Sequence, residues 1–127
     1  MTENERQLLL RDLCARQFYG TKVLGPWEKD GPCELSAIDL THNRQVRIFE
    51  DWFNIDDVKP YLRPMSSMTK DEVEQYYKIR TGEDRYKSLG ELDAELFDFY
   101  HKNHIDYRGL IPMGLALEAP ADMYKFE

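Results

Sequence analysis

The chain has 127 residues, of which 42% are hydrophobic and 13% aromatic, enough for one domain around a single core and too apolar for a disordered chain. Its 24 acidic residues against 17 Lys and Arg give a formal charge of −7 that opposes phosphate backbones and anionic lipid, and the basic residues are scattered, so no nucleic-acid partner is expected. No apolar run approaches the ~20 residues of a membrane span, and Met1-Thr2-Glu3-Asn4-Glu5 is acidic where a targeting peptide is basic; the expectation is a cytoplasmic protein with no membrane partner.

Thr2 and Glu5 stand at capping-box spacing, and Leu9, Leu10, Leu13 and Cys14 recur at helical intervals as far as Gln17, predicting an amphipathic helix over 1–17. Tyr19-Gly20 ends it. From 20 to 58, short apolar runs (Val23-Leu24, Cys33 to Leu40, Val46 with Ile48) alternate with turn formers (Gly25-Pro26, Lys29-Asp30-Gly31-Pro32, Thr41-His42-Asn43-Arg44), the pattern of an antiparallel β-meander. The apolar phase switches between Ala37 and Ile38, where a bulge is predicted. Phe49, Trp52, Phe53, Ile55 and Val58 form the apolar cluster expected to close the sheet, with an SH3-like barrel and an open sheet as alternatives.

Pro60 and Pro64 fix their own φ and push Lys59 and Arg63 out of the helical region, so 59–69 reads as an extended joint between a sheet half and a helical half. Tyr61, Leu62, Met65 and Met68 are expected to be buried and to hold it. Thr69 and Glu72 form a second capping box that starts a helix at Lys70; it runs to about Arg80 with Val73, Tyr76 and Tyr77 on one side and stops at Thr81-Gly82. Ser88 and Glu91 start a third helix, lined by Leu89, Leu92, Leu96, Phe99 and Tyr100, with Glu91, Glu95, Asp98 and Lys102 opposite. Beyond Asn103, Gly109, Pro112, Gly114 and Pro120 allow only loop or short strand. The expected class is α+β: one domain over 1–127 with an N-terminal helix, a small meander, a proline joint, two C-terminal helices and an irregular tail.

The run Lys59-Pro60-Tyr61-Leu62-Arg63-Pro64-Met65-Ser66-Ser67-Met68-Thr69, together with Asp106-Tyr107-Arg108-Gly109-Leu110-Ile111-Pro112 and Gly114-Leu115-Ala116-Leu117-Glu118-Ala119-Pro120, resembles a family of small proteins of gut bacteria. That family travels with phage and other mobile-element genes and has no established activity. The resemblance implies a setting and carries no catalytic or binding residue with it.

Chemistry is therefore read from the residues alone. His101 and His104 have the spacing that puts two imidazoles on one side of a helical turn, and His42, Asp106 or Glu118 could supply a third metal ligand. Histidines at a helix C-terminus also meet the dipole without a metal, which is the preferred reading, and no metal or cofactor is expected. The acidic pairs Glu50-Asp51, Asp56-Asp57, Asp71-Glu72 and Glu83-Asp84 read as solvated faces and caps, and Ser66 and Ser67 lack a nucleophile elbow. Cys14 and Cys33 read as reduced core thiols.

Arg63 before a proline and Arg108 before a glycine sit in restricted backbone and could clamp a carboxylate; internal pairing with Asp106, Asp57 or a chain carbonyl is preferred. Trp27, in Gly25-Pro26-Trp27-Glu28, is the candidate exposed anchor. These readings favour a non-enzymatic accessory or interaction protein with a protein partner. The alternatives are an acidic mimic of nucleic acid using Glu91, Glu95 and Asp98, and a small metal-dependent hydrolase built on His101 and His104.

Overall fold

The computed structural model describes residues 1–26, 32–40, 44–81 and 87–124. Trp27, the Lys29-Asp30-Gly31 turn, Thr41-His42-Asn43, Gly82 and Glu83-Asp84 lie outside the described residues.

Helix α1 covers Glu3–Arg16 and begins at the predicted box: Thr2 N–H donates to Glu5 Oε1 at 2.8 Å, and Glu5 N–H donates to Thr2 Oγ1 at 3.2 Å. A 3₁₀ turn, Gln17–Tyr19, tightens its end, and Gly20 terminates it at φ 69°. The fully buried line along α1 is Leu9, Asp12, Leu13 and Arg16, with Leu10 beside it. Cys14 falls off that line and is exposed, contrary to the core thiol expected; Cys33 is half-buried, and neither is in a disulfide.

Four antiparallel strands follow: β1 Lys22–Leu24, β2 Cys33–Asp39, β3 Gln45–Ile48 and β4 Asp51–Asn54. A 3₁₀ turn at Ile55–Asp57, capped by Asn54, leads into β5, Lys59–Pro64, which runs antiparallel beside β1. The strand order through these elements is β4-β3-β2-β1-β5. The register shift in β2 lies between Leu35 and Ala37, one step before the predicted position. Ser36 explains it, because its hydroxyl turns to the carbonyls of Arg47 and Phe49. Of the cluster expected to close the sheet, Ile55 and Val58 are buried and Phe53 is half-buried, whereas Phe49 and Trp52 are 65% and 44% exposed.

The proline segment is extended as predicted, but it is a strand inside the sheet rather than a joint between halves. Two short parallel strands from the tail, β6 Ile105–Asp106 and β7 Leu117–Glu118, pair with it. Amides alternate sides along a strand, so prolines four apart remove donors from one side only. Arg63 N–H, on the other side, donates to the His104 carbonyl at 2.7 Å, and the Leu62 carbonyl accepts Ala119 N–H at 2.8 Å. Leu62 is fully buried, while Met65, in a 3₁₀ turn at Met65–Ser67, is 37% exposed.

Helix α2, Lys70–Thr81, and helix α3, Leu89–Lys102, pack on each other. Tyr76 meets Tyr100, but Tyr77 is 60% exposed and Leu89 82%, so the apolar stripes of both helices are narrower than their sequences suggest. One core joins α1, the sheet, Leu110, Leu115 and Ala116; a second, aromatic one joins Phe99, Tyr100 and Ile105 with Met68, Tyr76, Leu96 and Tyr107. Among the described residues no helix is long and apolar enough to cross a membrane.

Candidate functional site

The end of β5, the start of α2 and the tail after β7 surround a cleft of about 550 Å³, with Arg63 and Glu72 in its wall. The capping box that starts α2 also orients Glu72. Thr69 N–H donates to Glu72 Oε1 at 2.9 Å, and Glu72 N–H returns to Thr69 Oγ1 at 3.2 Å. Arg63 then grips the same carboxylate with Nη2 to Oε1 at 2.6 Å and Nη1 to Oε2 at 2.8 Å, and donates to the carbonyls of Asn103 and Ser67. The guanidinium holds the Glu72 carboxyl below the usual carboxylate range, against the opposing effect of burial. Arg63 is therefore paired inside its own chain, the preferred expectation: it bonds chain carbonyls, and the carboxylate it clamps is Glu72 rather than Asp106 or Asp57.

Arg108 lies in a different cluster. The Asp106 carboxylate accepts N–H bonds from Leu110 and Ile111, both at 2.9 Å, and folds the 106–111 turn, in which Gly109 takes φ 77°. This sets Arg108 Nε 3.1 Å from Asp12 Oδ1, while Arg16 Nε bonds Asp12 Oδ2 at 2.8 Å and Arg16 Nη2 bonds the Ile105 carbonyl at 2.6 Å. Both guanidiniums face the Tyr107 ring, at 5.5 Å for Arg16 and 5.0 Å for Arg108, and Tyr100 stacks on that ring at 4.8 Å. Arg16 Nη1 is buried and has no hydrogen-bond partner among the described residues. Sequence reasoning missed Asp12 and Arg16; the available signal was their four-residue spacing in phase with Leu9 and Leu13, which turns a charged pair inward.

The two histidines part company. His101 Nε2 and Tyr107 Oη are 2.7 Å apart, and burial lowers the His101 pKa, with the Arg16 charge adding to the effect. His104 adopts φ 60°, meets Thr21 Oγ1 through Nδ1 at 2.8 Å, and stacks on Tyr124 at 3.7 Å. Burial pulls its pKa down to about 4. The Tyr124 hydroxyl, pushed up to about 12 by burial, donates to the Tyr61 carbonyl and accepts Lys22 N–H, both at 2.8 Å, tying the tail to β1 and β5. Among the described residues no three His, Cys, Asp or Glu side chains gather as a metal site.

Two surface features remain. Phe49 stands at the first position of the β3–β4 turn with φ 57°, a backbone conformation bulky residues seldom adopt, and Trp52 lies on β4, the terminal strand of the sheet order. On α3, Glu91 and Asp98 are exposed, but Glu95 is paired with Lys87. Compared with known proteins, the chain matches no protein-family model, no curated protein and no solved structure.

Proposed function

We propose that the chain is a non-enzymatic protein-interaction module, serving the phage or mobile element that the sequence resemblance implies, and that it docks a partner protein through the β3–β4 hairpin. The observation that carries this reading is the pair of exposed aromatics there: Phe49 at φ 57°, 65% exposed, and Trp52, 44% exposed on the edge strand. Holding a bulky residue in the left-handed region costs about 1–3 kcal/mol, and folding recovers little of it when the ring faces water. A terminal strand also offers unpaired backbone groups to an added strand, and aromatic side chains anchor such contacts. Glu50 and Asp51 flank the aromatics without an ion pair among the described residues, which favours a partner segment carrying Lys or Arg.

The test is affinity capture from the native cell during element induction, run in parallel with Phe49→Gly/Trp52→Ala and with Glu91→Gln/Asp98→Asn. Glycine relaxes position 49 and offsets part of the burial lost at Trp52, so the first variant should still unfold cooperatively in urea and yet lose the partner. Loss of the partner only in the second variant would replace this reading with the acidic nucleic-acid mimic.

A further inference from the structure

We infer that the cleft beside Arg63 is a binding site for an aliphatic cation, an alkyl guanidinium or alkyl ammonium group, with Glu118 as its counter-charge. The inference rests on the cleft and is independent of the hairpin. The cleft's volume of about 550 Å³ is that of a small-ligand pocket. Among the described residues its only basic side chain, Arg63, is neutralised: both Nη groups are committed to Glu72 and to the Asn103 and Ser67 carbonyls, so little positive potential remains for an anion. The Glu72 carboxylate is consumed in the same way by Arg63 and Thr69 N–H. Glu118, at the end of β7, is the exception. It is exposed, lines the cleft, and makes no hydrogen bond or ion pair among the described residues.

The described lining residues thus carry one negative charge in excess: Arg63 cancels Glu72, and Glu118 is left over. The other walls suit an aliphatic stem. Pro64, Ala119, Pro120 and Ala121 supply apolar surface, and Tyr124, one face of which is covered by His104, adds an aromatic ring. A cation with a three- or four-carbon stem would bury its methylenes on these walls and bring its head to the Glu118 carboxylate and within reach of the ring. Such a group comes from a free amine or from an arginine or lysine side chain of a peptide.

The full-length chain is titrated by amide NMR with agmatine, with the peptide Ac-Ala-Arg-Ala-NH₂ and, as controls of opposite charge, with acetate and inorganic phosphate. Saturable shifts of the Glu118, Ala119 and Ala121 amides are expected with both cations and with neither anion. Tighter binding of the peptide assigns the site to a protein side chain; tighter binding of agmatine assigns it to a free amine. Glu118→Gln should weaken either cation about fivefold or more while unfolding at the wild-type urea concentration, since the Glu118 side chain makes no hydrogen bond or ion pair among the described residues and glutamine leaves the β5–β7 pairing in place. Absence of saturable shifts with both cations, equal affinity in Glu118→Gln, or phosphate binding at these amides overturns the inference.

Discussion

Glu72 receives both Nη groups of Arg63, at 2.6 and 2.8 Å, with the same carboxylate that caps Thr69 N–H at 2.9 Å. One side chain thereby fixes the start of α2 and welds it to β5.

Removing either partner leaves a mostly buried charge, since the side chains are only 19% and 13% exposed. Arg63→Ala is expected to destabilise the protein by about 3 kcal/mol. Arg63→Lys should recover only part of this, because an ammonium cannot make the paired bonds. Urea denaturation measures both, and an unchanged midpoint for Arg63→Ala would refute the weld.

Asp12 is the carboxylate shared by Arg16 and Arg108, and both Asp12 and Arg16 are fully buried. Asp12→Asn should cost about 3–5 kcal/mol by leaving a buried guanidinium uncompensated. Replacing the pair together, Asp12→Leu with Arg16→Met, should cost less than Asp12→Asn alone. A double variant less stable than that single one would show that the ion pair itself is strongly stabilising.

His104 titrates near pH 4 when folded and near the ordinary 6.5 when unfolded, so the unfolded chain takes up the proton first as the pH falls. Stability is complete above about pH 6.5 and declines towards pH 4, by about 2 kcal/mol between pH 7 and pH 5 from this group alone. His101, also lowered, acts in the same direction, whereas the lowered Glu72 adds its loss only below its ordinary 4.5. His104→Asn, which tolerates the left-handed backbone, should flatten the pH 5–7 slope. Urea midpoints at the two pH values decide; an equal slope in the variant would assign the acid sensitivity elsewhere.

Leu62 lies at the centre of β5 with no exposed surface. Leu62→Ala should cost about 2–5 kcal/mol through lost transfer energy and the cavity left behind. Denaturation at the wild-type urea concentration would contradict the central place of β5 in the core.

What the sequence alone determined is what short-range physics controls. Each of the boxes Thr2/Glu5 and Thr69/Glu72 is closed by hydrogen bonds between residues three apart, and Ser88 caps Glu91 N–H in the same way, so the helix starts were legible. The α+β class and the meander followed from apolar period and turn residues for the same reason. The tertiary structure decided whatever depends on partners far along the chain. The proline run resembled a linker because two of its three pairing strands, β6 and β7, are two residues each and lie more than forty residues away, too short to carry a periodic signal. Arg108 found Asp12, which is 96 residues distant, rather than its neighbour Asp106, whose carboxylate was already taken by the Leu110 and Ile111 amides. His101 and His104 were separated because the left-handed backbone at residue 104 turns the second ring towards Thr21 and Tyr124 while the first stays with Tyr107. The cleft beside Glu118 exists only because the tail folds back along β5, a closure that no local pattern encodes.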